Sequence, residues 1–512
     1  MISAFANSLK IPELRKRIFF TLALVVIVRL GAAIPLPGVN AVGLEAWQDA
    51  MAATGATQER GAAAVAALAN VFSGGALTSC ALFALGIMPY ISASIMLQLM
   101  TAVVPRLSKL AREDGGRQKI TQYTRYLTII LALVQGSMLI KSLVDNNNPF
   151  LSGYDAVEYG PLILVNNGDP GMLYYIMAVT VILAGTMLLM WLGEQITERG
   201  IGNGVSLIIT VNIIQALPAA IFMIWNDYIN VDAAANPLLP ATAVMLFAFL
   251  ATVVAGTVAI TEAQRRIPIQ YAKRVVGRKV YGGQKQYMPL KVNYSGVMPI
   301  IFATAILAVP GLILGFMFPE NAIVQNMVRS LSNPSHWLYY VVGGTMIFFF
   351  SYFWVAVMFQ PAQIADDLKK SGGYVPGVRP GKPTADFMDF TMSRLTFAGS
   401  IFLTAIYVIP GLVTAMFGIQ PQAAQFFGGT SLLILVGVLL DILRQVETHL
   451  IQRNYEGFLR KGKIKGRSAA AGVAARSSGG GGASSNTMTY LYVVIALLTI
   501  FGVVALIASK HG

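Results

Sequence analysis

The chain reads as an all-α polytopic membrane protein, and three observations carry that reading. Stretches of about 20 mostly apolar residues recur along it, each long enough to cross a bilayer as a helix. Eleven can be marked, at roughly 18–38, 79–104, 121–142, 172–192, 204–225, 238–261, 293–317, 337–360, 394–418, 429–446 and 489–508. Hydrophobic residues make up 55% of the 512 and charged residues 12%, more apolar surface than a soluble fold of this size hides. The charges then fall unevenly. With the N-terminus cytoplasmic and every span crossing, 32 of the 37 Lys and Arg lie on the N-terminal side, against only 13 of the 23 carboxylates. That is the positive-inside pattern, and it predicts a cytoplasmic N-terminus.

Each element is explained by its residues. Span one is preceded by Lys10, Arg15, Lys16 and Arg17, as a signal peptide is. But Ile18–Leu36 is long and runs into Pro35 and Pro37 without a small-residue cleavage site, so it is expected to be a retained helix. Next, Ala62–Val71 is a helix former too short to span, broken from the neighbouring stretch at Ser73–Gly75. That stretch, Phe72–Ile95, carries Ser73, Gly74, Gly75, Thr78, Ser79, Gly86, Pro89, Ser92 and Ser94. Such a broken segment needs protein or water around its backbone and is expected inside a bundle or lining a cavity. Gln135 in span three, Asn212 and Gln215 in span five and Asn293 at the start of span seven suit hydrogen bonding between helices. Gly200–Gly204 reads as a tight turn between spans four and five.

Two cytoplasmic loops are longer than topology requires. Glu262–Lys291 carries Arg265, Arg266, Lys273, Arg274, Arg278 and Lys279, interleaved with apolar residues, and predicts a β-hairpin turning at Gly282–Gly283. Pro361–Arg394 carries Gly372, Gly373, Pro376, Gly377, Pro380, Gly381 and Pro383 and predicts a stiffly turned loop rather than a helix. After Arg467, the Ala/Gly/Ser-rich stretch with Gly479–Gly482 reads as a flexible tether to the eleventh span.

Other function classes find little support. The net charge of +14 lies in loops between spans, which suits anionic lipid headgroups and an acidic or ribosomal partner. A single cysteine, Cys80, allows no internal disulfide. Ionisable groups are nearly absent from span centres, which argues against an ion-coupled transporter; Arg29 lies near the outer end of span one and Asp441 near the inner end of span ten. Gly457–Lys463 spaces like a phosphate-binding loop, but Ile464 stands where the Mg²⁺-holding hydroxyl belongs and a membrane helix precedes it. No catalytic dyad, metal cluster or cofactor site is read, so the chain is not expected to be an enzyme.

Seven blocks then resemble one family in order: FSGGAL (Phe72–Leu77), FALGIMPYISASI (Phe83–Ile95), QKITQYTRY (Gln118–Tyr126), WLGEQITERGIGNG (Trp191–Gly204), PLKVN (Pro289–Asn293), VPGVRPGKPT (Val375–Thr384) and FGGTSLLI (Phe427–Ile434). Over about residues 10–466 the chain resembles the SecY family, channel subunits of the bacterial Sec translocon. The resemblance implies a ten-helix clamshell of two pseudo-symmetric five-helix halves, residues 1–225 and 226–466. A linker at 467–488 and an additional transmembrane helix at 489–512 depart from the family pattern.

It also implies a protein-conducting channel for unfolded preproteins, with a lateral gate between spans two/three and seven/eight. A pore ring would consist of Ile87, Ile91, Ile209, Ile301 and Ile434. The plug would be Leu68, Asn70, Val71, Phe72, Ser73, Gly74, Gly75, Ala76 and Leu77. Gln135 and Asn293 would lie at the gate. Arg265, Arg266, Lys273, Arg274, Arg278, Lys279 and Arg379 would dock the motor ATPase SecA and the ribosome. SecE- and SecG-like subunits, signal peptides and anionic lipids are the other implied partners, in the bacterial inner membrane. A ring of branched apolar side chains resists wetting yet offers a passing chain no strong binding site.

Overall fold

A backbone amide in hydrocarbon has no water to bond, so each crossing segment must close its hydrogen bonds within itself. The computed structural model describes residues 11–54, 70, 72–113, 115–144, 154, 156–165, 171–228, 239–271, 274–276, 279–281, 285–304, 307, 322–332, 336–419, 424 and 428–460. Helices stand where the apolar stretches predict them. Span one is Pro12–Ala33, span three Gly116–Val144, span four Met172–Arg199, span five Gly204–Tyr228 and span six Leu239–Glu262. Span eight is Trp337–Met358, span nine Lys382–Phe417 and span ten Gly429–Arg460. Of span seven, residues 298–304 are helical within the described part. The eleventh span and its linker lie outside the described residues, as do Leu68, Val71, Lys273 and Arg278.

Among the described residues, seven helices are long and apolar enough alone to cross a membrane. There are eight if the bent pair Met88–Thr101 and Pro105–Ala111 counts as one. Span one misses that count because Lys16, Arg17 and Arg29 fall within it. Its two faces are nonetheless distinct. Leu14, Thr21, Leu24, Val28, Gly31 and Ala32 recur at helical spacing and are buried, whereas Phe19, Leu22, Val26 and Leu30 are exposed on the other side. An apolar residue on both faces is what a helix between protein and lipid requires.

Span two differs from its expectation. Its helix covers only Met88–Val103, and residues 74–87 form successive turns. Sixteen residues rise about 24 Å, short of a hydrocarbon core of about 30 Å. The turns make up the remainder and are covered by protein. Leu36 N donates to Cys80 O (2.9 Å), Leu82 N to Ile34 O (2.8 Å) and Ala81 N to Ala76 O (2.9 Å), and Ala76, Cys80, Ala81, Phe83, Ala84 and Ile87 are buried. Span four admits this run of turns at Gly185, where a Cβ would stand 2.3 Å from Leu82 O. Pro89, in the first turn of the helix, explains why it starts there. At its far end the chain bends by 105° into Pro105–Arg112.

The basic loops also refine their predictions. Strand β1 (Gln264–Tyr271) pairs antiparallel with β4 (Lys285–Lys291), Arg265 facing Leu290. Between them β2 (Arg274–Val276) pairs with β3 (Lys279–Tyr281). Val276 opposes Lys279, so β2 and β3 reverse between those two residues; Gly282–Gly283, where the sequence predicts the turn, lie outside the described residues. The other loop is not turned throughout. Pro361–Lys370 is a helix, begun by Pro361 in its first turn, and Lys382 onward extends span nine by three turns. Only residues 371–381 fit the expected loop. Within them β5 (Gly373–Tyr374) adds to β1, making a sheet ordered β4-β1-β5.

Candidate functional site

Ile87 and Ile91 sit one turn apart at the start of span two, so both project to one side. Ile209 of span five and Ile434 of span ten meet them, and Ile301 of span seven packs against the same cluster. Ile87, Ile209 and Ile434 are buried; Ile91 and Ile301 are half-buried. All five residues therefore converge, although they come from four helices. Phe72 and Ala76 of the segment before span two are buried in the same cluster. An apolar cluster of this kind excludes water and can loosen by rotamer changes without breaking a hydrogen bond.

The segment around Phe72 is laced to itself. Gly75 N and Ser73 Oγ donate to Asn70 O (3.0 and 3.1 Å), Thr78 N and Oγ1 donate to Asn70 Oδ1 (both 3.2 Å), and Leu77 N donates to Ser73 Oγ (3.2 Å). Gly74 and Gly75 have φ of +65° and +82°, which glycine adopts without strain. Among the described residues, Gln48 Nε2 donates to Thr78 O at its end (3.1 Å), and two further groups reach its turn. Asn212 Nδ2 donates to Phe72 O (2.8 Å), and Arg29 Nη2 donates to Gly74 O (3.4 Å). Arg29 Nη1 also donates to Asn212 Oδ1 (3.1 Å), closing a triangle among span one, span five and the segment. Both residues are visible in the sequence as polar groups in apolar spans; their partnership, 183 positions apart, is not.

An apolar seam lies beside the cluster. Ile95, with Ile91 and Leu99 of span two, packs on Met298, Ile301 and Phe302 of span seven and on Phe350 and Trp354 of span eight. Phe302 stacks on Phe350 at 5.6 Å. Asn293 is buried and accepts from Ser295 Oγ (3.3 Å), while Gln135 is half-buried on span three. No hydrogen bond joins Gln135 to Asn293 among the described residues.

At the end carrying the basic loops, the two long loops form one body. Ile267, Leu290, Val355, Phe359, Val375, Met388 and Met392 share a core, and Tyr374 OH donates to Gln270 Oε1 (3.0 Å). Arg265, Arg266 and Arg379 are exposed on it. Thr384 Oγ1 donates to Arg379 O (2.8 Å), pinning that backbone to the start of span nine. Arg274 and Lys279 lie on the paired strands β2 and β3.

Ion pairs tie helices near this end. Arg125 of span three grips Glu194 of span four with Nε–Oε1 3.0 Å and Nη2–Oε2 2.7 Å, and Arg444 of span ten pairs with Glu262 at the end of span six (2.7 Å). Lys291 is held below the usual lysine range, first by desolvation and then by the Arg444 guanidinium. The Gly200–Gly204 turn is fastened too: Ile201 N donates to Thr21 Oγ1 of span one (3.2 Å) and Gly202 N to Gln445 Oε1 of span ten (2.8 Å).

Comparison with known proteins adds to this geometry. The SecY family model matches residues 81–443. The protein translocase subunit SecY of Streptomyces coelicolor is 42% identical over 465 residues, spanning 90% of this chain and 100% of that protein. Two solved structures share the fold. One, described as a protein conducting channel, has a TM-score of 0.57 at 17% identity. The other is Sec61 in a canine ribosome–channel complex from the endoplasmic reticulum, with a TM-score of 0.54 at 15% identity. Each alignment covers 88% of this chain and 94% of the other.

Proposed function

Because this chain belongs to the SecY family and forms a protein-conducting translocation channel rather than an enzyme, we propose that unfolded preproteins thread its five-isoleucine ring. The observation that carries this reading is the convergence of Ile87, Ile91, Ile209, Ile301 and Ile434 with Phe72 and Ala76 in one buried cluster. The isoleucines act as a water-excluding gasket, and the Leu68–Leu77 segment is the plug that fills it at rest. Spans one to five and six to ten form the two halves, residues 1–225 and 226–466. A linker at 467–488 leads to a further transmembrane helix at 489–512.

The apolar seam of span two with spans seven and eight is the lateral gate. Among the described residues it carries no hydrogen bond that a signal helix would have to replace, so its apolar contacts can be exchanged for those of an inserting segment. Hydrophobic segments leave through it into lipid, and Gln135 and Asn293 tune its opening. The distribution of Lys and Arg supports a cytoplasmic N-terminus in the bacterial inner membrane. The basic sheet then faces the cytoplasm, where Arg265, Arg266, Arg274, Lys279 and Arg379, with Lys273 and Arg278, meet a SecA motor or the ribosome; a related fold bound to a ribosome supports the second. SecE- and SecG-like subunits and anionic lipids complete the assembly.

Photocrosslinking from Ile301 to a secretory chain arrested in transit tests the reading. A signal-dependent crosslink is expected. Silence at Ile301 while probes in the basic loops still label would remove the ring from the path of the substrate.

A further inference from the structure

We propose that Arg29 and Asn212 form a polar latch on the Asn70–Leu77 segment and so determine how strong a signal must be to open the channel. The inference rests on that segment belonging to the plug. Where the chain turns at Gly74 and Gly75, carbonyls are left without helical partners. Two of these, Phe72 O and Gly74 O, are the ones that Asn212 and Arg29 satisfy. Asn212 is buried and its amide can sit only one way round: a carbonyl accepts and a guanidinium donates, so Nδ2 must face Phe72 O and Oδ1 must face Arg29. No carboxylate pairs with Arg29 among the described residues. Its half-buried charge is therefore compensated by the amide oxygen and by the plug itself.

That arrangement makes closure conditional. Lifting the segment away strips Arg29 of one acceptor and the Asn212 amide of the carbonyl it donates to, in a site that also holds the apolar cluster. Water admitted on opening takes the vacated places, so what is lost is the net contribution of these hydrogen bonds. The closed state is favoured by that amount, and a signal sequence opens the channel only by binding the open state more tightly by more than that amount. Removing the latch lowers the threshold, so weak signals gain more than strong ones.

Replacement at Asn212 separates this role from simple helix-to-helix bonding. Asn212→Asp strengthens the link to Arg29 but turns an acceptor toward Phe72 O, so a tie between spans one and five would survive while the latch loses its bond to Phe72 O. Asn212→Leu removes the tie and the bond to Phe72 O, and Arg29→Met removes the tie and the bond to Gly74 O. The full-length channel, purified with its co-purifying subunits and reconstituted in liposomes, is given a preprotein with an intact signal or one whose apolar core carries a single charge. Resting ion conductance is recorded in parallel.

All three variants are expected to raise conductance and to raise the ratio of weak-signal to intact-signal transport about tenfold to a hundredfold, the range that lost hydrogen bonds of these types correspond to. A covalent control uses Gly74→Cys with Asn212→Cys in a Cys80→Ser background. A Cβ at Gly74 stands 2.8 Å from Asn212 Cγ, within disulfide reach. Oxidised, this channel should be shut; reduced, it should leak like the Leu variant. If Asn212→Asp keeps normal conductance and stringency while the disulfide still switches transport, the latch is overturned and the plug stands. If the oxidised channel transports normally, the plug reading fails and the latch with it.

Discussion

Spans three and four are held at one end by Arg125 and Glu194, and the strength of that tie can be worked out before it is measured. The two parallel contacts, 3.0 and 2.7 Å, give the bidentate geometry in which a guanidinium holds a carboxylate best. Exposure sets the scale. The Arg125 side chain is 43% exposed and Glu194 15%, between the limits for ion pairs. A fully exposed pair contributes about 0.2–1 kcal/mol, whereas breaking a buried one costs about 3–5 kcal/mol. Glu194→Gln keeps one acceptor and loses the charge, so about 2 kcal/mol is expected. Cys80 supplies the readout. It is the only cysteine and is buried against Leu139, Ile140 and Leu143 of span three and Ala178 and Ile182 of span four. Leu36, Leu44, Trp47 and Ile163 cover it as well, so in micelles with denaturant a thiol reagent reaches it by global unfolding, and its labelling rate there reports the unfolding equilibrium. Glu194→Gln should speed labelling about 30-fold, the factor that 2 kcal/mol represents. Arg125→Met should do the same, and the double variant should add little. Additive effects, with a coupling below about 0.5 kcal/mol, would refute the argument, since independent sites add within that margin.

Three other outcomes are expected. Ile434→Asn places an amide in the apolar cluster and should raise resting conductance in planar bilayers, by letting water into the constriction; an unchanged conductance would mean that the cluster is not the seal. Arg379→Glu should weaken motor-driven transport about tenfold or more while leaving thermal stability within about 0.5 kcal/mol, because the side chain is exposed and, among the described residues, its carbonyl alone is bonded. Equal transport by wild type and variant would remove Arg379 from the docking surface. At Gly373 a Cβ would meet Tyr271 Cε1 at 3.1 Å and Ile269 Cγ2 at 3.3 Å, so Gly373→Val should detach β5 from β1 and speed tryptic cleavage after Lys370; an unaltered cleavage rate would show that the sheet absorbs the side chain.

The span boundaries show where local reading runs out. Spans five, six and eight start and stop within a few residues of their apolar stretches, because their lengths are set by the hydrocarbon they cross. Spans nine and ten run on well past theirs, since a helix continues into water when its polar turns have protein to rest on, as Met388 and Met392 rest on the basic sheet. Span two is shorter than its stretch, because the turns before it find their hydrogen bonds in Ile34, Leu36 and Ala76. In each case hydropathy describes the solvent along the chain, and the backbone answers also to what stands beside it.

The sequence by itself determined that this is a multi-pass membrane protein, roughly where it crosses, which loops are basic, and the family in which its motifs fall. Those properties depend on transfer free energies that each stretch carries alone. Tertiary structure decided which groups act together: isoleucines from four helices in one cluster, β5 added to β1 so that two loops become one platform, and Arg29 and Asn212 on the turn at Gly74. A hydrogen bond or an apolar contact depends on distances of a few tenths of an ångström between residues up to hundreds of positions apart, and only the folded chain sets those distances.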